Sequence, residues 1–373
     1  MADRLIDSVA NGYDLFLGGG VADLSRTPRS IIDEGPQRTL YRYRPRRHVR
    51  AKHAPVLLVP PLAAPASCFD LRRGGSMAEH LVGLGYPTYL VDYGPISFSD
   101  RALGLEHWVE DVIPAAIRAV SEDAGGAPVQ PVGWCLGGIM TLLAVAGERK
   151  LPGASVSLVA SPFDFTRVRM FGPVRRLAKL TGGTLVTSLY RALGGAPAPL
   201  VSLGFRATAI DKYATRPLFW AQNLHDRETI AHSEAVDDYM ANMLAYPGRT
   251  FGQLYHAFFR VNALANGRIK LSDKEVDLRE ITQPVLSVAG NADVLAPKPA
   301  VHHVGGLLPK SAEVRLESAP GGHLGVLTGR SAMRTTWVYL DDFLARHDPG
   351  AKPAAPRRRT VQQPRARAAA APT

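Results

Sequence analysis

An α/β architecture, a mostly parallel sheet with helices on both faces, follows from three features of the sequence. Short apolar, β-rich runs alternate with amphipathic helical patterns, the alternation stops after Pro162, and two further runs with a closing helix appear after Glu280.

The elements follow in order. Residues 1–38 read as an N-terminal helical segment, and "RTLYRYRP" alternates as a first strand would. The runs "APVLLVPP", "YPTYLVDYG", "PVQPVGWC" and "SVSLVASP" supply further strands. Between them, "SMAEHLVGLG", "LEHWVEDVIPAAIRAVSEDAG" and "GGIMTLLAVAGE" carry helical patterns. Strands that are apolar along their whole length need cover on both faces, so 39–162 reads as the first part of a parallel α/β core. Residues 163–280 look helical, with glycine breaks and no clear strand. The core resumes over 281–347 with "PVLSVAGNAD", "AEVRLESAPGGH" and a helix near "SAMRTTWVYLDDFLARH". A parallel sheet interrupted by a helical insertion and then resumed is the plan of an α/β-hydrolase with a cap.

Composition narrows the class. The 373 residues are 46% hydrophobic and 21% charged, ordinary for a globular chain. No apolar run reaches membrane-spanning length. The opening "MADRLIDSVANGYDLFLGGG" holds acids and no compact apolar segment, so no secretory signal is expected. Two cysteines, Cys68 and Cys135, make no disulfide framework and fit a reducing cytoplasm. The net charge of +11 is uneven: the stretch from Ala351 to Thr373 holds six basic residues and no acid. Rich in Ala, Pro and Arg, the tail over 348–373 is expected to be disordered, serving either solubility or the binding of polyanions. It has no interleaved aromatics, so base stacking is not expected.

The chemistry centres on "PVGWCLGGIM". Gly133 and Gly137 flank Cys135 at two residues on either side, the spacing of a nucleophile elbow with sulfur in place of the usual serine oxygen. The start of the following helix favours a thiolate there. In this fold the acid and then the histidine follow the nucleophile, each just after a late strand. Asp293 follows "PVLSVAGNA" and His323 follows "AEVRLESAPGG", which makes Cys135, Asp293 and His323 the expected triad. Taken singly, each has a plain alternative: a buried thiol, a loop acid, a loop histidine. His302 and His303 read as surface residues, and His48, His53, His80 and His107 precede the nucleophile, the wrong order. The oxyanion hole is expected to use the backbone N–H of Leu136 and that of Leu62, the first donor after Pro60 and Pro61. No spacing suggests a metal site, and no glycine-rich phosphate loop follows the first strand, so no cofactor is expected.

Three motifs, "GWCLGG", "GNADVLAP" and "GGHLGVLTG", resemble the cysteine, aspartate and histidine motifs of the polyhydroxyalkanoate synthases. The similarity runs from about Tyr41 to His347. "FGQLYHAFFRVNALANGRIKL" with "VDLREITQPVL" looks most like the short, class III catalytic subunits. Two stretches depart from the family pattern: "AAPASCF" after the Pro-Pro turn, and "VDYG", where tryptophan commonly follows the aspartate. The resemblance implies an acyltransferase that takes 3-hydroxyacyl-coenzyme A as substrate. Cys135 would form an acyl-enzyme with release of coenzyme A, His323 would take the thiol proton, and Asp293 would orient His323 and help activate the incoming 3-hydroxyl. It implies as partners a second synthase subunit, further copies of the chain and a polyester granule surface in the cytoplasm. Arg167, Arg169, Arg175 and Arg176 in "FTRVRMFGPVRRLAKL" are candidates for the coenzyme A phosphates, the alternative being a solvated helix face. Two other readings use the same residues: a cysteine-dependent thioesterase or polyester depolymerase, and a non-catalytic granule- or nucleic-acid-associated protein. Acyl-chain length is not legible in the sequence.

Overall fold

The computed structural model describes residues 2–169, 172, 176, 187–188, 190, 192–207 and 215–350. The strands β1 (Arg29–Gly35), β2 (Arg38–Tyr43), β3 (Val56–Val59), β4 (Thr88–Asp92), β5 (Gln130–Trp134), β6 (Val156–Val159), β7 (Val285–Gly290) and β8 (Val314–Ala319) form one sheet. Their order is β1-β2-β4-β3-β5-β6-β7-β8. From β4 to β8 every neighbouring pair is parallel, and the β1–β2 hairpin continues antiparallel from β4.

The sheet is covered on both sides, which explains the unbroken apolar runs. Successive side chains of a strand point to opposite faces. Leu57 and Val59 of β3 join a core with Trp108, Ile113, Ile139 and Leu143. Those residues come from the π-helical turn His107–Val112, helix α3 (Ile113–Asp123) and helix α4 (Leu136–Gly147). Val56 and Leu58 face the other way, into a core with Leu81, Trp337, Leu340 and Phe343. Helices α2 (Met77–Leu84) and α7 (Thr336–Arg346) bring these. Ser76 caps α2 by accepting from the Glu79 N–H, and Gly85 ends it in the left-handed region.

Between β6 and β7 the described chain contains α5 (Ala198–Ala207) and α6 (Arg227–Ala241), then a helical segment made of Gly248–Gln253 and the π-helical Leu254–Arg260. N-terminal to the sheet, helix α1 (Ala2–Phe16) docks on this region. Asn11 donates to the Leu224 carbonyl at 2.8 Å, and the Phe16 and Trp220 rings meet at 5.5 Å. The chain after α1 is tied to α6, where one Glu234 oxygen accepts the N–H groups of Val21 and Ala22.

Several expectations are corrected. The first strand is β1, inside the stretch read as an N-terminal helical segment. It is a half-exposed edge strand with a bulge between Ile31 and Asp33, so it has no apolar run to read. Within 163–280, a segment read as free of strands, an antiparallel hairpin joins Arg268–Leu271 to Lys274–Asp277, and Gly195–Ala196 pairs with Tyr246–Pro247. In the hairpin only Ile269, Leu271 and Val276 turn inward, too short an alternation to stand out. The boundary at 348 also shifts. Asp348 is buried and accepts from His53 Nδ1 at 2.7 Å, so the chain stays anchored to that point. The rest of the basic tail, residues 351–373, lies outside the described residues. His302 and His303 are half-buried rather than on the surface, each bonded through Nε2 to a backbone carbonyl at 2.9 Å. Among the described residues, no helix is long and apolar enough to cross a membrane.

Trp108 is the largest fully buried side chain and ties the core to the insertion. Its ring lies 5.1 Å from that of Tyr93, and its indole N–H donates to Thr250 Oγ1. Trp108→Ala should therefore lower the unfolding free energy by about 3–5 kcal/mol. Urea titration measures this, and a loss below about 1 kcal/mol would mean that the site collapses around the vacancy.

Candidate active site

Cys135 sits at the tip of β5 and caps α4, with φ 55° and ψ −123°. For a residue with a Cβ this is a sparsely populated backbone region, costing about 1–3 kcal/mol, and it persists only where the surroundings impose it. Two glycines make the turn feasible. A Cβ on Gly133 would run into Gly138, whose N would stand at 2.6 Å. A Cβ on Gly137 would strike the Val59 carbonyl and the Pro60 carbonyl oxygen, the latter at 2.5 Å. The end of β5, the start of α4 and the end of β3 thus meet in backbone contact. The Cys135 N–H is held by the Val159 carbonyl at 2.8 Å, and the thiol is left half-buried.

Asp293 and His323 converge on the same edge of the sheet. Asp293 follows β7 and is buried. Its Oδ1 accepts the N–H groups of Leu295 and Ala296 at 2.9 and 2.8 Å, and its Oδ2 accepts from His323 Nδ1 at 2.8 Å. These bonds fix the His323 tautomer and leave Nε2 for the other side of the ring. Burial alone would lower the proton affinity of His323. The facing Cys135 charge, then the Asp293 charge and the hydrogen bonds to both, outweigh it and push the imidazole pKa up to about 10. The residue before the cysteine braces this arrangement: Trp134 donates its indole N–H to the His323 carbonyl at 3.2 Å, and the two rings lie 5.2 Å apart. The sequence reading missed Trp134, although its place beside Cys135 is a usable signal.

The other cysteine contrasts with Cys135. Cys68 is fully buried, and burial holds its thiol well above the ordinary pKa, in the neutral form. Of the expected oxyanion donors, Leu136 opens α4, and Leu62 follows the Pro60–Pro61 turn that packs on the elbow. Among the described residues, neither backbone N–H donates to a protein acceptor.

Cys135, Leu136 and His323 open into a cavity of about 460 Å³. Its walls are apolar: Ile139, Phe165, Leu200, Val201, Leu254 and Phe258 among others. Tyr246 also lines it, and burial followed by the Cys135 charge raises its phenol pKa, so the phenol stays neutral. The Tyr255 hydroxyl on the wall is buried without a hydrogen-bond partner among the described residues. These cap residues were not singled out in the sequence, where their spacing reads as ordinary helix.

None of the described candidate arginines, Arg167, Arg169 and Arg176, lines this cavity. Arg167 pairs with Asp164 at 2.7 Å, Arg167, Arg169 and Arg176 are exposed, and Arg175 lies outside the described residues. His53, His80 and His347 pair with carboxylates elsewhere, at Asp348, Asp341 and Glu313.

The raised pKa of His323 has a sign that can be tested. The folded value of about 10 lies above the ordinary 6.5, so the proton stabilises the fold fully below about pH 6.5. That contribution is lost as the pH climbs through about 10. Between these values the unfolding free energy of the wild type should fall relative to that of His323→Gln. Parallel curves in urea titrations over this range would show that no imidazolium is held there.

No protein-family model matches the chain. Relatives by sequence include the poly(3-hydroxyalkanoate) polymerase subunit PhaC of Allochromatium vinosum, 25% identical over 90% of this chain and 93% of that protein. The subunit of the same name from Haloferax mediterranei is 22% identical, over 92% of this chain and 69% of that one. That of Synechocystis sp. is 24% identical, over 83% and 82%. Among solved structures, the monoacylglycerol lipase of Paleococcus ferrophilus superposes with a TM-score of 0.51 at 16% identity, covering 83% of this chain and 99% of the lipase. That likeness speaks for the fold alone. Sequence similarity thus links the chain to the poly(3-hydroxyalkanoate) polymerases, and its architecture is that of the α/β-hydrolases.

Proposed function

We propose that the protein is an acyltransferase that polymerises 3-hydroxyacyl-coenzyme A thioesters into polyhydroxyalkanoate through a covalent intermediate on Cys135. The observation that carries the reading is the line from Asp293 through His323 to Cys135, placed at the opening of an apolar cavity. The names of the relatives supply the reaction class.

In this reading the Cys135 thiolate attacks the thioester carbonyl. The carbonyl oxygen takes up negative charge and is met by the N–H of Leu136, with the N–H of Leu62 as second donor. The tetrahedral intermediate collapses, the carbon–sulfur bond to coenzyme A breaks, and His323 delivers the proton to the leaving thiolate. The acyl group is then on Cys135 and His323 is neutral. The 3-hydroxyl of the acceptor gives its proton to His323 as its oxygen attacks the acyl-cysteine. The carbon–sulfur bond to Cys135 then breaks, the new ester leaves, and Cys135 returns to the thiolate facing a protonated His323. Asp293 acts through His323, because its side chain is fully enclosed and both its oxygens are already engaged. A direct contact with the incoming hydroxyl is therefore not assigned to it. Among the described residues, the buried Tyr255 hydroxyl is an unspent donor on a wall that otherwise sees the acyl chain.

The alternative acceptor is water, which would make the protein a thioesterase. The mostly apolar lining disfavours it, since a wall with few polar groups gives water few partners.

Incubation with 3-hydroxybutyryl-coenzyme A should release free coenzyme A and leave polymer. Cys135→Ala should reduce the release about 10⁴-fold or more. Absence of release from the wild type, alone or with a synthase partner subunit, would overturn the reading. Free hydroxy acid in place of polymer would assign the protein to hydrolysis.

A further inference from the structure

A second cavity of about 520 Å³ lies beside the first. The two share Tyr190, and the helical segment 248–260 stands between them. Phe251, Leu254, Tyr255, Phe258 and Phe259 turn one side of that segment to Cys135. Arg249, Gly252, Gln253 and His256 turn the other side to the second cavity. The linings are opposite in character: among the described residues, the second holds Arg101, Arg249, His256 and Lys270 and no carboxylate. Arg249 is paired with Glu106 outside the lining. Among the described residues, Arg101, His256 and Lys270 have no acidic partner. Phe98, 61% exposed, lies at the rim, where a Cβ on the lining residue Gly194 would meet its ring, and Arg101 stacks 4.6 Å from its centroid.

We propose that this basic cavity binds the phosphates of the nucleotide part of an acyl carrier of the coenzyme A type, and so holds the carrier while its thioester is presented to Cys135. The inference rests on the acyl-thioester reading given above. Unpaired cations converging on a concave site suit a polyanion, since charge-assisted bonds to phosphate oxygens are strong. An exposed aromatic ring beside them offers a stacking surface for a purine. An α-helix with its side chains is about 10–12 Å across. A carrier whose phosphates and thioester are separated by a flexible arm can straddle such a helix, with phosphates on the basic side and acyl group on the apolar side. The division also explains why the cavity at Cys135 needs no charge of its own beyond the triad.

The test is direct binding to the full chain, so it does not depend on turnover. Free coenzyme A, phosphate-free pantetheine, ATP and inorganic phosphate are each titrated calorimetrically into the wild type, Lys270→Glu, Arg101→Glu and the double variant. The exposed Lys270→Gln serves as the milder change should a reversal disturb the fold. Coenzyme A should bind the wild type at least tenfold more tightly than pantetheine, and the double reversal should weaken it about tenfold or more, with affinity falling as salt rises. Unchanged coenzyme A affinity in the reversals overturns the proposal. So does ATP or inorganic phosphate binding as tightly as coenzyme A, which would make the cavity a general anion site. Coenzyme A binding that is lost in the reversals, in a protein that turns over no acyl thioester, upholds the cavity and refutes the acyltransferase reading.

Discussion

The backbone at Cys135 is the constraint on which the rest of the site depends. A half-buried thiol at the sheet's carboxyl edge is obtained by holding one residue at φ 55° between β5 and α4. Nothing local stabilises that conformation. It is imposed by the parallel strands on either side of β5 and by the close approach of Val59, Pro60 and Gly138 to glycines that have no Cβ to obstruct them. The strain is tolerated because β3, β5 and β6 beside it are enclosed on both faces, so relaxing the elbow would disturb several strands at once. The same geometry aligns α4 behind the sulfur, where the helix start favours negative charge.

The imidazole is the second half of that arrangement. A buried histidine ordinarily loses its proton, yet the negative charges that Cys135 and Asp293 can carry on either side of the His323 ring, with the hydrogen bonds to both, hold its proton affinity up. Asp293 takes part without exposure: with one oxygen spent on two backbone N–H groups and the other on His323, it is a fixed orienting charge. Trp134 couples the two ends, because the residue that precedes Cys135 also holds the carbonyl of His323.

Legibility in the sequence followed burial. The strands β3, β5, β6 and β7 are enclosed on both faces, and their continuous apolar runs were readable as such. Strand β1 and the 268–277 hairpin are edge or satellite pieces with mixed exposure, and they left no such trace. The three residues Cys135, Asp293 and His323 were readable because the fold fixes their order and their positions after strands. The cavity walls were not. Phe251, Leu254, Tyr255 and Phe258 lie within one helical stretch, and its spacing does not say which side faces Cys135 and which a basic cavity. The arginines at 167–176 stood out as a charge cluster in the sequence. Yet the cations that share one concave surface, Arg101, Arg249 and Lys270, are scattered along it.

Sulfur at the elbow gives these observations a common physical sense. Transfer of an acyl group from one thiol to another is nearly balanced in free energy, so an acyl-cysteine keeps most of the activation that the donor thioester carried. An acyl-serine would be an oxygen ester, with much of that activation gone before the acceptor arrived. Keeping the activation is useful only if the intermediate outlives its encounters with water. An apolar cavity of about 460 Å³ around the sulfur, with a buried phenol at Tyr255 among its few polar atoms, meets that condition. The requirements of a charged donor are contrary to those of such a cavity, and one helical segment separates the two cavities: apolar side chains toward Cys135, Arg249 and His256 toward the basic side. In the acyltransferase reading the choice between hydroxyl and water as acceptor is thus made by the cap that encloses the thiol, since the chemistry proposed for Cys135, His323 and Asp293 serves either.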